Sequence, residues 1–313
     1  MSPKELQRIA YQLRIQVIEM LIASQSGHPG GALGMAEIFS VLYFSSLVRA
    51  LPTEQDQEDR DRIILSNGHI CAILYAAMAK AGYFPESLLQ SFRQLGSPLQ
   101  GHPSIAFLPA VETSSGPLGQ GISQAVGMAL ALKSSQPKAR VYCIISDGEC
   151  EEGQTWEAIM AAAKNQLHNL TIIVDRNHIQ IDGSTEHIQP GLDTLPEKFQ
   201  AFGMNLAKIN GHDIDQITQA IESSKAATQP TVILAETTPG KGVSFMEHDY
   251  HWHGKAPSIT EGKAAILELE TTLHHLGPLH HRASVTDSAK AWQRQESTPP
   301  SLYYALTGQS QCD

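Results

Sequence analysis

Positive charge is scarce in this sequence. Its 313 residues carry 22 Lys and Arg against 32 Asp and Glu, a formal net charge of −10. That argues against a nucleic-acid binder, which needs a basic face. It also means that an anionic ligand must be held through a cation or through backbone amides. Cysteine is scarce too. Cys71, Cys143, Cys150 and Cys312 are scattered with no C-x-x-C pair, so neither a zinc knuckle nor a disulfide scaffold is indicated. Cys71 and Cys143 lie among apolar neighbours and read as buried thiols. No apolar run approaches the roughly 20 residues that span a bilayer. The opening stretch MSPKELQRIAYQLRIQ reads as an amphipathic helix and not as a signal peptide, so a reducing, cytoplasmic setting is expected. G-x-x-x-x-G-K-[ST], H-E-x-x-H and G-x-S-x-G are all missing, which removes the P-loop, the zincin helix and the nucleophile elbow. GPLGQG at 116–121 is no dinucleotide fingerprint, because Gln124 stands where its last glycine belongs.

What is present is an ordinary globular composition, 42% hydrophobic and 17% charged, long enough for a sizeable core. Helical spacing covers roughly 4–24, with Leu6, Ile9, Leu13, Val17 and Met20 on one face. SQSGHPGGALG follows as a glycine-rich turn, then a second apolar helix, MAEIFSVLYFSSLV. Ile63–Leu65, RVYCIIS, LTIIVD and TVILAET are apolar without alternation, as parallel strands covered on both faces should be. ICAILYAAMAKAGY and GQTWEAIMAAAKNQL read as helices, the second with Trp156, Ile159, Met160, Ala163 and Leu167 on one stripe. Strand and helix alternate, which predicts an α/β fold with a doubly wound, mostly parallel sheet. After about residue 270 the periodicity fades. The expected organisation is one domain over 1–270 and an irregular tail over 271–313.

The stretch CIISDGECEEG runs from a buried strand straight into Asp147, then Glu149, Glu151 and Glu152. In open α/β sheets ligands sit at the carboxyl ends of strands. Asp147 lies at that end of one strand and Asn177 just past the end of the next, one strand–helix–strand unit later. A carboxylate, an amide oxygen and a backbone carbonyl make a hard-oxygen site for Mg²⁺ or Ca²⁺. Such an ion could tie a diphosphate to an acidic protein. The alternative is that Asp147 caps a helix and Asn177 shapes a turn. Histidines are the second signal. His28, His69, His102 and His253 each lie in a glycine-flanked turn, which fits a pocket that needs donors and proton shuttles near neutral pH. HDYHWH, with His248, His251 and His253, allows a zinc reading that no further motif supports. His274–His275 and His280–His281 read as solvated pairs.

Together these segments resemble the transketolase family, in its amino-terminal, thiamine diphosphate-binding half. SGHPGGALGMAE, DRIILSNGH, GHPSI…ETSSGPLGQGISQAVGMALA, SDGECEEGQTWEA…NLTIIVDRNHIQIDGS and WHGKAP occur in the family's order over about 5–260. The family's usual Gly-Asp-Gly is Ser146-Asp147-Gly148 here, which leaves the acid in place. The resemblance implies a thiamine diphosphate-binding fold. It implies that Asp147, the Asn177 side chain and the Ile179 carbonyl hold Mg²⁺ or Ca²⁺. His69, Gly116, Pro117, Leu118, Gly148, Asn177 and His253 would contact the cofactor. His28, His102 and His253 would face the substrate and act catalytically, and Glu152 would lie at a contact between subunits.

The family's full-length enzymes are about twice as long. The resemblance therefore implies a split transketolase. A separate carboxyl-terminal subunit would carry the pyrimidine-binding domain, the cofactor-activating glutamate and the basic grip on the sugar phosphate. The reaction implied is transfer of a two-carbon ketol unit between sugar phosphates, by a heterotetramer of the two chains. Two other readings stand beside it. One is a thiamine-binding subunit of an oxo-acid dehydrogenase or another carboligase, which the full histidine set disfavours. The other is a non-catalytic domain that binds a metal–diphosphate.

Overall fold

The computed structural model describes residues 1–54 and 57–277. Helix α1, Pro3–Ser24, begins with a capping box between Ser2 and Glu5 and with Pro3 in its first turn, a start signal written in the sequence. It buries Leu6, Ile9, Leu13, Val17 and Met20 as the spacing predicts, and also Arg14. SGHPGGALG departs from expectation. His28 is extended, and Pro29–Gly34 forms a short buried helix, α2, ahead of α3, Ala36–Phe44. Its glycines are there for close approach: a Cβ on Gly31 would meet Ile70 Cγ2 at 2.9 Å, and one on Gly34 would meet the Thr238 carbonyl oxygen at 3.0 Å.

Strand β1, Arg62–Leu65, leads into α4, Cys71–Ala81, and a long loop runs to α5, Gly121–Ser135. Then come β2, Val141–Ser146, α6, Gly153–Lys164, and β3, Leu170–Arg176. A small hairpin of β4, Ile179–Gln180, and β5, Gly183–Ser184, precedes α7, Thr185–Ile188, and α8, Leu195–Ala201. The chain continues through β6, Asn205–Asn210, α9, Ile214–Ala226, β7, Thr231–Glu236, and α10, Ile259–His275.

The main sheet has the order β1-β2-β3-β7-β6, and every pairing is parallel. Alternate residues of each strand enter opposite cores. Tyr142, Ile144, Ile173 and Ile233 face α1, α3, α4, α9 and α10. Cys143, Ile145, Ile172, Val174, Val232 and Leu234 face α5, α6 and α8. Helices therefore cover both faces, which is why the central strands read as unbroken apolar runs.

Three features were not foreseen. On α6 the buried stripe is Thr155, Ala158, Ile159 and Ala162. Met160 points outward, 49% exposed, and Trp156 packs beside the rings of Phe199 and Phe202. Edge strand β6 buries only Ile209, so no apolar run announces it. Helix α10 continues to His275, past the expected boundary at 270, under its own capping box of Ser258 and Glu261. The rest of the expected tail, 278–313, with Cys312 and His280–His281, lies outside the described residues. Among the described residues no helix is long and apolar enough to cross a membrane.

Candidate cofactor and metal site

The carboxyl ends of β1, β2 and β3 are adjacent, and one buried acid ties the first two to the GPLGQG loop. Glu149 is fully buried. Its Oε1 accepts from the Ser66 hydroxyl at 2.5 Å, past the end of β1, and from Gly119 N–H at 2.8 Å, in GPLGQG. Its Oε2 accepts from Ser146 N–H at 3.0 Å, at the end of β2. Burial pushes the Glu149 carboxyl up, and these donors pull it back. Of the acids crowded behind the strand, then, Glu149 is a strut, while Glu152 is exposed. Gly119, at φ 73°, could not carry a side chain here, since its Cβ would meet that of Glu152 at 2.8 Å.

Asp147 is fully buried. Its Oδ1 accepts from Gly148 N–H at 2.8 Å, capping the 3-10 turn Gly148–Glu151. Its Oδ2 accepts from Arg176 Nη1 at 3.0 Å and from His178 N–H at 2.9 Å. Burial raises the Asp147 carboxyl, and the Arg176 guanidinium opposes that rise. Asn177 takes Ile179 N–H on its Oδ1 at 3.0 Å and gives an N–H to Asp175 Oδ2 at 2.9 Å. Asp175 is buried and pushed up to about 7 by burial, against hydrogen bonds from Thr237 and Asn177. So the capping and turn roles weighed for Asp147 and Asn177 are both present. The same bonds knot Asp147, Asn177 and Ile179 into one loop. Among the described residues no cluster of three His, Cys, Asp or Glu side chains is placed to hold a metal. Oxygen donors are the chemistry a hard divalent ion takes, and this loop brings one amide oxygen and the buried Asp147 carboxylate, each already accepting backbone N–H groups. Arg176 is its cationic neighbour, bonded also to Thr185 Oγ1 at 3.1 Å and Glu186 at 2.5 Å.

Three of the four singled-out histidines meet. The ring of His69 lies 5.2 Å from those of both His28 and His253, and His28 lies 5.7 Å from His253. Burial, then the neighbouring His253, Arg93 and His102, lower His28 to about 4. Burial lowers His69 well below the usual imidazole range, and lowers His253 as well. His102 is the most open of the set. Burial and Arg93 lower it, and its ring faces Gly116, where a Cβ would stand 3.7 Å away. These imidazoles are therefore neutral at physiological pH. Gly68 lets the loop bearing His69 approach Ser115, whose hydroxyl oxygen would lie 2.4 Å from a Cβ there.

Around this cluster, buried polar atoms stand without a protein partner: His28 Nδ1, His253 Nδ1, both amide atoms of Asn67, and Ser115 Oγ. Orphaned buried groups are rare enough to need an explanation, and a polar ligand is one. Leu118 sits nearby in sequence, 39% exposed. HDYHWH does not gather. His251 instead binds Asp249 at 2.6 Å on the surface. Asn67, Ser115, Arg93, Glu149, Asp175 and Arg176 escape the sequence reading. SNGH and TSSG mark the first two segments, but nothing local distinguishes Glu149 from its acidic neighbours.

Fold and site define an α/β protein that gathers a buried acid, an asparagine and neutral histidines at the carboxyl rim of a parallel sheet. The family description "Transketolase, thiamine diphosphate binding domain" matches residues 6–270, and the chain belongs to the transketolase family through that domain. It is 40% identical over 267 residues to the 6-deoxy-6-sulfo-D-fructose transketolase subunit SqwG of Clostridium sp. (strain MSTE9), covering 85% of this chain and 96% of that one. It is 38% identical over 271 residues to an apulose-4-phosphate transketolase subunit of Actinobacillus succinogenes, covering 86% and 98%. The crystal structure of transketolase from Campylobacter jejuni superposes with a TM-score of 0.77 at 32% identity, over 99% of this chain and 51% of that one. The chain thus spans about half the length of that solved enzyme. Family membership places it among the thiamine diphosphate-dependent transferases.

Proposed function

We propose that this chain is the thiamine diphosphate-binding subunit of a two-chain transketolase. The observation that carries the reading is the cluster of neutral His28, His69 and His253 with unpaired buried polar atoms around it, at the rim that holds Asp147 and Asn177. Bound thiamine diphosphate supplies the carbanion stabilisation needed to move a two-carbon ketol unit. Asp147, the Asn177 side chain and the Ile179 carbonyl would hold Mg²⁺ or Ca²⁺, whose charge would let an acidic protein bind a diphosphate. His69, Gly116, Pro117, Leu118, Gly148 and His253 line the cofactor. A neutral imidazole offers one donor and one acceptor nitrogen. His28 and His253 therefore bind sugar hydroxyls and shuttle protons there, and His102 joins them from beside Gly116.

Relatives of similar length are named as subunits, which supports a second chain that brings the pyrimidine-binding domain and the basic grip on the substrate. Residues 1–270 form the binding domain in this reading, with α10 carrying it on to His275. Two copies of each chain meet as a heterotetramer with Glu152 at the contact. The unpaired buried thiols Cys71, Cys143 and Cys150 suit a cytoplasmic setting. Donors to screen are phosphorylated and sulfonated ketoses, against pyruvate.

The test is calorimetry of thiamine diphosphate with Mg²⁺, with and without a coexpressed candidate partner, followed by a ketol-transfer assay. Mg²⁺-dependent binding that Asp147→Ala abolishes, together with ketol transfer only by the pair, is expected. Binding indifferent to Mg²⁺ and to Asp147 sinks the metal assignment. Full activity from the purified chain alone sinks the two-chain reading.

A further inference from the structure

Arg93 lies outside every motif discussed so far, yet it stands between the two substrate-side histidine loops. Its Nη1 donates to Ser26 Oγ at 2.8 Å, and its Nη2 donates to the Gly101 carbonyl at 3.1 Å. Ser26 is two residues before His28, and Gly101 is one before His102. Glycines flank both histidines: Gly27 sits at φ 133°, and a Cβ on Gly101 would meet Arg93 Cζ and Nε at 3.1 Å. On the amino-terminal side, then, neither histidine has a neighbouring side chain to hold it; only Pro29 and Pro103 follow. The guanidinium lies flat against Gly101, and its Nε is buried without a partner. Arg93 itself adopts φ 59°, left-handed backbone that a non-glycine residue rarely takes. Unfavourable backbone is kept where surrounding structure over-determines it, and here it aims a planar fork with two bonds at two separate loops. A lysine has no such fork.

We propose that Arg93 is a positioning residue that ties the His28 loop to the His102 loop, so that one guanidinium sets both imidazoles in register for the substrate. It acts through the histidines and makes no substrate contact of its own. The proposal rests on the reading of His28 and His102 as substrate-facing. The charged and titratable groups facing His28 are His253, Arg93 and His102, with the His69 ring alongside; Arg93 faces His102.

Two readouts test it. The first is imidazole NMR titration of the isolated chain labelled at histidine, with lines assigned from His28→Asn and His102→Asn. This readout is independent of any enzymatic assay. Arg93→Met should move the His28 midpoint upward from about 4 and raise that of His102, because a neighbouring positive charge is lost. Arg93→Lys should leave both near their original values, because the charge remains. The second is steady-state kinetics of the assembled enzyme. Both variants should lower kcat, Arg93→Met by about ten- to a hundred-fold, while thiamine diphosphate affinity stays within a few-fold. Gly101→Ala, whose methyl would displace the guanidinium by a few tenths of an ångström without altering it, should lower kcat in the same direction, and it carries the test if Arg93→Met does not fold. Histidine titrations unmoved in Arg93→Met, or kcat unchanged in Arg93→Lys and Gly101→Ala, would overturn the proposal. If wild type proves to have no ketol-transfer activity while the titrations shift as stated, the functional reading fails and the tie between the loops stands.

Discussion

Arg14 is the largest fully buried side chain of the described residues. It forms a two-bond fork with Glu37, Nη1 to Oε1 at 2.8 Å and Nη2 to Oε2 at 2.6 Å. Its Nε donates to the Leu33 carbonyl at 3.0 Å, and His212 Nδ1 lies 3.0 Å from Glu37 Oε2. Removing one partner leaves the other charge buried and alone, a loss of about 3–5 kcal/mol. Arg14→Met should therefore lower the urea midpoint sharply, and an unchanged midpoint would show that the pair contributes little. Burial alone would raise Glu37, but Arg14 and His212 hold it down at about 2. Its contribution is complete above the ordinary carboxyl value and is lost as pH falls through that value toward about 2. His28 works in the other direction. Its folded value near 4 lies below the ordinary imidazole value of 6.5, so between these pH values the unfolded chain binds a proton that the folded chain refuses. Stability should fall as pH drops from about 6.5 to about 4, more steeply in wild type than in His28→Asn; parallel profiles would refute this. At this scale the sequence showed chemistry better than partnership. Asp147, Asn177 and the histidines were legible because glycine turns and a strand end framed them. Glu149 and Arg14 were not, because their partners are distant in sequence: Gly119 and Ser66 for one, Glu37 for the other.

Helix α5 opens at Gly121, packed against the end of β1. A Cβ on Gly121 would meet Ser66 Cα at 2.6 Å, with the Ser66 side chain as close. Backbone cannot yield as a side-chain tip can, so Gly121→Ala should push the helix off the strand at a cost of about 1–3 kcal/mol. Because Ser66 and Gly119 share Glu149, cofactor affinity should fall as well. Chemical denaturation and calorimetry on the same variant check both; a loss of stability with no change in affinity would uncouple the helix start from the site. The elements easiest to read were β2, β3 and β7, each buried almost throughout, because a strand covered on both faces has no polar register to blur it. Strand β6 hides for the opposite reason, as an edge strand with one buried residue. On α6, a stripe drawn through Met160 chose the wrong rotation. The helix packs through small residues, Ala158 and Ala162, with Ile159 between them, and alanine leaves little trace in a hydrophobic pattern.

For the molecule as a whole, a net charge of −10 means that thiamine diphosphate without a cation meets an unfavourable field. Mg²⁺ together with the cofactor should raise the thermal midpoint, by the equivalent of about 2.7 kcal/mol at a hundred times Kd. Chelation with EDTA should return it to the unliganded value. A shift of the same size from the cofactor alone, in EDTA throughout, would contradict the oxygen site. The fold class was the most legible property of all, since the alternation of apolar strands and helices is a whole-chain signal that survives local misreadings.

The strand order carries one more consequence, and it concerns how the chain reaches its native state. Arg62 of β1 pairs with Val141 of β2 across the long segment that holds α4, the His69 and His102 loops and α5. During synthesis the first four helices can pack on one another, but the faces that cover the sheet stay open until residue 146 has emerged. Pairings so remote in sequence make for slow refolding and a sticky early intermediate, so recovery from urea should improve with dilution and with a chaperonin present.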